Sequence, residues 1–82
     1  MITVLFFGQL REMLDCSEMT VNAEDAQNVM QLRDYLIASA PKWQEHLAAG
    51  NILVAVNQTM SDLSQTLNTG DEVAFFPPVT GG

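Results

Sequence analysis

The stretch GDEVAFFPPVTGG, residues 70–82, decides the fold. Its turn-forming Gly-Asp pair is followed by β-branched and aromatic residues, and this pattern predicts a strand over residues 72–76. Two prolines end the strand, because proline lacks the backbone N–H that a sheet requires and favours extended polyproline geometry. Residues 77–82 are therefore expected to project as an extended tail from a domain formed by residues 1–76.

The tail ends in two residues without side chains. At ~3.3 Å per residue, the tail could reach roughly 20 Å, a length that suits threading into a pocket of another protein. A narrow channel can close around the backbone of Gly81, and a reagent can approach the carboxylate of Gly82 without meeting a Cβ atom. We expect Gly82 to be the reacting residue, with Gly81 and Thr80 threading the channel.

Apolar patterns upstream of the tail predict further strands and helices. Runs of β-branched and aromatic residues, or their alternation with polar ones, predict strands at residues 2–7 and 18–22. The unbroken apolar run of residues 52–56 predicts an interior strand buried on both faces. Apolar residues three and four apart predict a short helix at residues 9–14 and the main helix at residues 28–40.

Both ends of the main helix have sequence signals. Asn28 is a suitable N-cap residue with Gln31 at the third helical position, and Pro41 cannot continue the helix. Trp43 and Leu47, four residues apart, predict a further short helical turn over the edge of the core.

This order of elements predicts one α+β domain with the main helix packed across one face of a mixed sheet. The leading topology is the β-grasp, or ubiquitin-like, arrangement. A chain of 82 residues has room for one domain, which buries only about 60% of its unfolded surface. Residues 59–67 show no regular pattern, and Met60, Leu63 and Leu67 are expected to anchor them.

The composition disfavours several classes of partner. The net charge of −7 repels nucleic acid backbones and anionic lipid surfaces, and it favours a protein partner with basic patches. Cys16 is the single cysteine, which fits a reducing compartment. The apolar run of residues 2–7 has no basic leader and is too short to span a membrane. These features predict a cytoplasmic protein.

The sequence contains no complete catalytic constellation, since it has one His, one Cys and no Gly-rich phosphate loop. His46 could act as a base, but its polar surroundings favour a solvated surface residue. Cys16 could carry a persulfide, but the adjacent carboxylate of Asp15 favours its interpretation as a small turn residue. Glu24 and Asp25 offer too few oxygens for a hard cation. We expect no bound metal or cofactor.

Three runs of residues carry a resemblance to a known family. They are VLFF at residues 4–7 with Arg11 and Glu12, AVNQT at residues 55–59, and GDEVAFFPPVTGG at residues 70–82. Along nearly its whole length, the chain resembles the small, sulfur-carrying subunit of molybdopterin synthase. Residues 15–40 match this family only in pattern, so the resemblance depends above all on the final run.

The resemblance implies a β-grasp fold and a defined chemistry for Gly82. A ubiquitin-activating-like adenylyltransferase would use ATP to convert the Gly82 carboxylate into an acyl adenylate, and a persulfide sulfur would convert the adenylate into a thiocarboxylate. The large subunit of molybdopterin synthase would receive the tail and pass the sulfur to a pyranopterin precursor. The implied protein is the sulfur-donating subunit of a heterotetramer, with no enzyme activity on its own.

Strand alternation predicts the surface that meets this partner, because successive side chains point to opposite faces of a sheet. Thr3 and Glu72 mark the face away from the helix, which places Phe7 and Phe76 on the same face. Exposed aromatic residues often dominate binding, although both rings could instead complete the core. The resemblance adds Met60, at a position where family members carry an apolar contact to the large subunit.

Several alternatives fit parts of the sequence. A sulfur carrier for thiamine thiazole synthesis shares the fold and the Gly-Gly end, but its chain is usually shorter, and residues 75–80 favour molybdopterin. A carrier for tRNA thiolation or protein modification would be distinguished by whether the tail becomes joined to lysines. A noncovalent ubiquitin-like binding module would tolerate an extra residue after Gly82. The missing catalytic set disfavours a stand-alone enzyme.

Overall fold

The computed structural model describes residues 1–48 and 52–77, so Thr80, Gly81 and Gly82 lie outside the described residues. None of the described helices is long and apolar enough to cross a membrane. The strands are β1 (Ile2–Phe6), β2 (Glu18–Val21), β3 (Leu53–Val56), β4 (Thr59–Ser61) and β5 (Glu72–Phe76). The helices are α1 (Gly8–Leu14), α2 (Val29–Ser39) and α3 (Gln44–Leu47), with 3-10 helices at Ala23–Asp25 and Pro41–Trp43.

The strands form one mixed sheet in the order β2-β1-β5-β3-β4. β1 pairs antiparallel with β2 and parallel with β5. β3 pairs antiparallel with both β5 and β4. The strand that leads into the tail therefore occupies the centre of the sheet. The helices pack their apolar side chains against one face, which confirms the predicted α+β class and the β-grasp topology.

The core forms between that face and the helices. Ile2, Val4 and Phe6 of β1 are buried together, as strand alternation predicts, and so are Val73 and Phe75 of β5. The helices contribute Leu10, Leu14, Val29, Leu32, Leu36 and Leu47. Because burying one such side chain stabilises the fold by ~1.5–3 kcal/mol, these contacts hold the helices onto the sheet.

Trp43 extends the core beyond the end of α2. Its ring meets the ring of Phe6 edge-on, with centroids 5.4 Å apart and an interplanar angle of 74°. The 3-10 helix that begins at Pro41 brings Trp43 to this position, and Leu47 is buried in the short helix that follows. The predicted helical turn over the edge of the core is confirmed.

Side-chain hydrogen bonds fix the start of α2. Asn28 Oδ1 accepts a hydrogen bond from the backbone N–H of Gln31 at 2.8 Å, which confirms Asn28 as the N-cap. The side-chain oxygen of Gln31 accepts in turn from the backbone N–H of Gln27 at 2.9 Å. This second bond reaches one residue before the cap, a variant of the reciprocal capping box. Together the two bonds fix how the chain enters the helix.

β3 and β4 form a hairpin whose turn requires a left-handed backbone. Asn57 and Gln58 have φ angles of 50° and 68°, which suit a two-residue hairpin turn. Asn57 also holds the turn against β5: its Nδ2 donates to Asp71 Oδ1 at 2.9 Å, and its Oδ1 accepts from the backbone N–H of Glu72 at 3.0 Å. The first residue of the hairpin turn is thereby tied to the start of the central strand.

Residues 59–67 contain β4, an element that the sequence pattern did not predict. Leu67 is buried and anchors the segment, as expected. The expectation that Met60 and Leu63 also anchor it is wrong, because both side chains are exposed. β4 is an edge strand, and Met60 lies opposite Ala55, whose side chain is on the sheet face away from the helices.

Candidate functional site: the outer sheet face

The sheet face away from the helices carries two adjacent apolar rows, which strand register aligns across β1, β5, β3 and β4. We call these side chains the outer patch. It consists of Leu5, Ala74, Ala55 and Met60 in one row and of Phe7, Phe76 and Leu53 in the row nearer the tail.

Consecutive phenylalanines on the parallel strands are divided between the two faces. Phe6 and Phe75 are 1% and 2% exposed, and their rings stack in the core with centroids 6.0 Å apart. Phe7 and Phe76 stack on the outer face, with centroids 5.2 Å apart and ring planes 11° apart. Phe7 is 41% exposed, whereas Phe76 is half-buried beside it. The predicted division between faces is confirmed, and the alternative that both outer rings complete the core is wrong.

Met60 and Leu53 widen the outer patch beyond the stacked rings. Met60 is 60% exposed, and Leu53, opposite Phe76, is 36% exposed. Sequence reasoning missed Leu53, because the apolar run of residues 52–56 predicted burial on both faces. That prediction is wrong at Leu53, since none of the described helices covers the outer face there. Extending the alternation of β5 to its neighbour would have placed Leu53 on this face.

The base of the tail lies beside the outer patch. The backbone N–H of Phe7 donates to the carbonyl of Phe75 at 3.1 Å, which carries the parallel pairing one residue beyond β1. Gly8 follows with a φ of +61°, and Pro77 packs so closely that a Cβ on Gly8 would lie 3.2 Å from Pro77 Cγ. The chain therefore leaves the centre of the sheet next to the stacked rings.

Carboxylates border the outer patch. Glu18 of β2 lies opposite Leu5, and Glu72 of β5 lies opposite Thr3. Within residues 1–48 and 52–77, neither glutamate forms an ion pair. The five strands contain no Lys, Arg or His. The outer face is therefore apolar at its centre and negatively charged at its border.

One carboxyl group next to β4 has a shifted pKa. The hydroxyl of Ser64 donates to Asp62 Oδ1 at 2.6 Å, and the backbone N–H of Ser64 donates to the same oxygen at 2.9 Å. These bonds favour the ionised carboxylate and lower the pKa of Asp62 below its ordinary value of 3.8. Asp62 is therefore charged at neutral pH and adds to the acidic character of the domain.

Other reactive side chains do not assemble into a site within the described part of the chain. Cys16 is half-buried and packs against the core. His46 is half-buried rather than fully solvated, because it lies in the short helix that Leu47 holds against the core, and its Nε2 is 3.6 Å from Glu45 Oε1. No three His, Cys, Asp or Glu side chains among residues 1–48 and 52–77 could hold a metal ion. The outer patch and the tail base form the candidate site.

Known proteins similar to this chain share both its length and its fold. Residues 4–82 match the ThiS family. The chain is 48% identical to the molybdopterin synthase sulfur carrier subunit of Escherichia coli, over 100% of both chains. SAMP1 from Haloferax volcanii has a similar structure, with a TM-score of 0.84 and 25% identity over 99% of this chain and 98% of that one. A chain from the complex of subunits 1 and 2 of the Helicobacter pylori 26695 molybdopterin-converting factor gives a TM-score of 0.68 and 27% identity, over 99% and 97% of the two chains.

Proposed function

This chain belongs to the ThiS family, among the molybdopterin synthase sulfur carrier subunits, and on that premise we propose that it carries sulfur for molybdenum cofactor biosynthesis on the terminal carboxylate of Gly82. The observation that carries the proposal is the 48% identity along the whole chain to such a subunit. The apolar outer patch beside the tail base supports it, because a carrier must present its tail and a docking surface together. The chain is proposed to be a sulfur donor with no catalysis of its own.

The chemistry starts from an unreactive group. A C-terminal carboxylate ordinarily has a pKa of about 3.3–3.7, so it is ionised at neutral pH and is a poor electrophile. A ubiquitin-activating-like adenylyltransferase joins the carboxylate to AMP and releases pyrophosphate from ATP. A persulfide sulfur then attacks the carbonyl carbon and expels AMP. A thiol reduces the resulting S–S bond and leaves a thiocarboxylate on Gly82.

The proposed acceptor complex contains the large subunit of molybdopterin synthase. The Helicobacter pylori relative comes from a complex of two subunits, which supports a two-subunit assembly, and we propose a cytoplasmic heterotetramer. Phe7, Phe76 and Met60 dock against the large subunit, and Gly81 with Thr80 threads a narrow channel to its active site. Sulfur passes there to the pyranopterin precursor, and hydrolysis of the acyl–sulfur bond by water returns Gly82 to a carboxylate.

Mass spectrometry of the intact chain tests the sulfur-carrying step. After incubation with the adenylyltransferase, ATP and a sulfur donor, the chain should gain the mass difference of one sulfur replacing one oxygen. Tandem mass spectrometry should locate the change at Gly82, and Cys16→Ser should gain the same mass as the unmodified sequence. A mass change located at Cys16 would contradict the mechanism. Linkage of the tail to lysines of other proteins would indicate protein modification instead.

A further inference from the structure

The distribution of charge over the domain identifies the kind of surface that fits the outer patch. We propose that the docking partner is a protein surface that is apolar at its centre and carries lysine or arginine side chains at its margin, opposite Glu18 and Glu72. This inference rests on the proposed function, because it concerns the partner of the same docking surface.

Lysine and arginine residues occur on helical elements but not on the described strands. The three basic residues lie on helical elements: Arg11 in α1, Arg33 in α2 and Lys42 in the 3-10 helix before α3. The strands contain two glutamates and no basic residue. The charges that the strands present to a docking partner are therefore all negative.

The two glutamates lie on different sides of the outer patch. Glu18 is exposed and continues the row of Leu5 on the side of β2. Glu72 is half-buried at the start of the central strand, whereas the tail leaves from Phe76 at the other end of that strand. A partner that covers the patch up to its border meets both carboxylates, because Glu18 continues the row of Leu5 and Glu72 precedes Ala74 by two positions on the same face of β5.

The chemistry of the partner surface follows from the free-energy cost of removing water from the carboxylates of Glu18 and Glu72. A carboxylate that loses water without gaining an ionic or hydrogen-bonding partner is strongly destabilising, so a purely apolar partner surface would be penalised at this border. Basic side chains at the margin remove the penalty by pairing with the carboxylates. They also accelerate encounter, because complementary charge acts mainly on the association rate.

The same arrangement disfavours a second copy of this chain as the occupant. Face-to-face pairing of two copies would cover these carboxylates without a basic side chain from the strands of the other copy, and each copy carries a net charge of −7. The free chain is therefore expected to stay monomeric at low salt in spite of the exposed side chains of Phe7, Leu53 and Met60. Dimerisation at low salt, measured by sedimentation, would overturn the inference.

The main test measures how salt changes the rate of association with the large subunit. We expect the rate constant of the unmodified chain to fall ~10-fold between about 50 mM and about 500 mM salt, since surface charges are screened over that range. The double variant Glu18→Gln and Glu72→Gln should bind ~3–10-fold more slowly at low salt and show a flatter salt dependence. The charge-reversed double variant, Glu18→Lys and Glu72→Lys, should associate still more slowly at low salt than the glutamine variant.

A control double variant separates local charge from net charge. Glu24→Gln and Glu45→Gln remove the same amount of charge from helical elements. The association rate constant of this control and its salt dependence should therefore stay close to those of the unmodified chain. Equal effects in control and outer-face variants would overturn the inference, and so would unchanged association of the outer-face variants. Thermal unfolding checks the fold of each variant. Sulfur loading of Gly82, measured on the same variants, tests the proposed function independently. Normal loading and normal binding to the large subunit, with an association rate that the outer-face variants leave unchanged, would contradict the docking inference alone.

Discussion

At the scale of residues, a shift of one position along a strand changes the role of a phenylalanine. Phe6 and Phe75 stack inside the core, and Phe7 and Phe76 stack outside it. The parallel register of β1 and β5 creates both pairs, because it aligns Phe6 with Phe75 and brings the next residue of each strand together. The two pairs therefore provide matched variants for separating stability from binding.

We expect alanine substitutions at the adjacent positions of β5 to have opposite effects. Phe75→Ala should lower the free energy of unfolding by ~3–5 kcal/mol, the usual cost of removing a buried aromatic ring. Phe76→Ala, and likewise Phe7→Ala, should cost less stability but weaken large-subunit binding by ~1–3 kcal/mol. Chemical denaturation and calorimetric titration measure the two quantities. The docking assignment fails if the outer variants bind normally yet unfold like core variants.

Alternation alone predicted the face of every β1 and β5 side chain, because polar Thr3 and Glu72 mark the outer face unambiguously. It did not predict how far each residue is exposed. Phe76 is half-buried because its ring stacks on Phe7, and this contact crosses between strands that are far apart in sequence. Leu53 was missed for a similar reason, since the lack of a covering helix on the outer face is a tertiary property.

At the scale of elements, helix ends were more predictable than short strands. Asn28 and Pro41 are strong signals, because one satisfies a backbone donor and the other cannot continue the helix. The short strand β4 has no such signal and too few residues for alternation to show. Its pairing depends on the turn at Asn57 and Gln58. Both residues have left-handed φ angles in this turn, although neither residue type requires such an angle by itself.

Asn28→Ala should destabilise the domain by ~1 kcal/mol, because it removes the acceptor for the Gln31 backbone N–H at the start of α2. Asn28→Ser should retain most of the stability, since serine can accept the same bond. Thermal and urea unfolding of the two variants measure the difference. Stability of Asn28→Ala equal to that of the unmodified chain would show that the cap bond contributes nothing to the fold.

At the scale of the whole molecule, the proposed chemistry and the folded core occupy different parts of the chain. The core depends on residues between Ile2 and Phe75, while the proposed reacting residue is Gly82. Sequence patterns predicted the α+β class, the other four strands and the main helix but not β4, and they did not determine the order of the strands. The strand order followed only from the β-grasp hypothesis. No local sequence pattern indicates that β1 pairs in parallel with β5, because the two segments are far apart in the chain.

Gly81→Ala and Gly70→Ala should have opposite consequences. Gly81→Ala should leave the melting temperature unchanged and impair sulfur delivery, because the added methyl group obstructs the proposed channel. Gly70 has a φ of +91° with nothing within 4 Å of an added Cβ, so Gly70→Ala should cost ~1–2 kcal/mol through backbone strain alone. Its sulfur delivery per folded molecule should be normal. Normal turnover by Gly81→Ala would contradict the narrow-channel proposal.

The central position of β5 also sets the order in which the chain can fold during synthesis. Of the described strands, β5 is made last, yet β1 and β3 both pair with it. Such long-range pairing folds slowly and cannot begin until the ribosome has released the late segment. A chain terminated before residue 72 would keep two unpaired strand edges and stay open to proteolysis. A chain truncated before residue 72 would therefore lack the central strand as well as the proposed sulfur-carrying end.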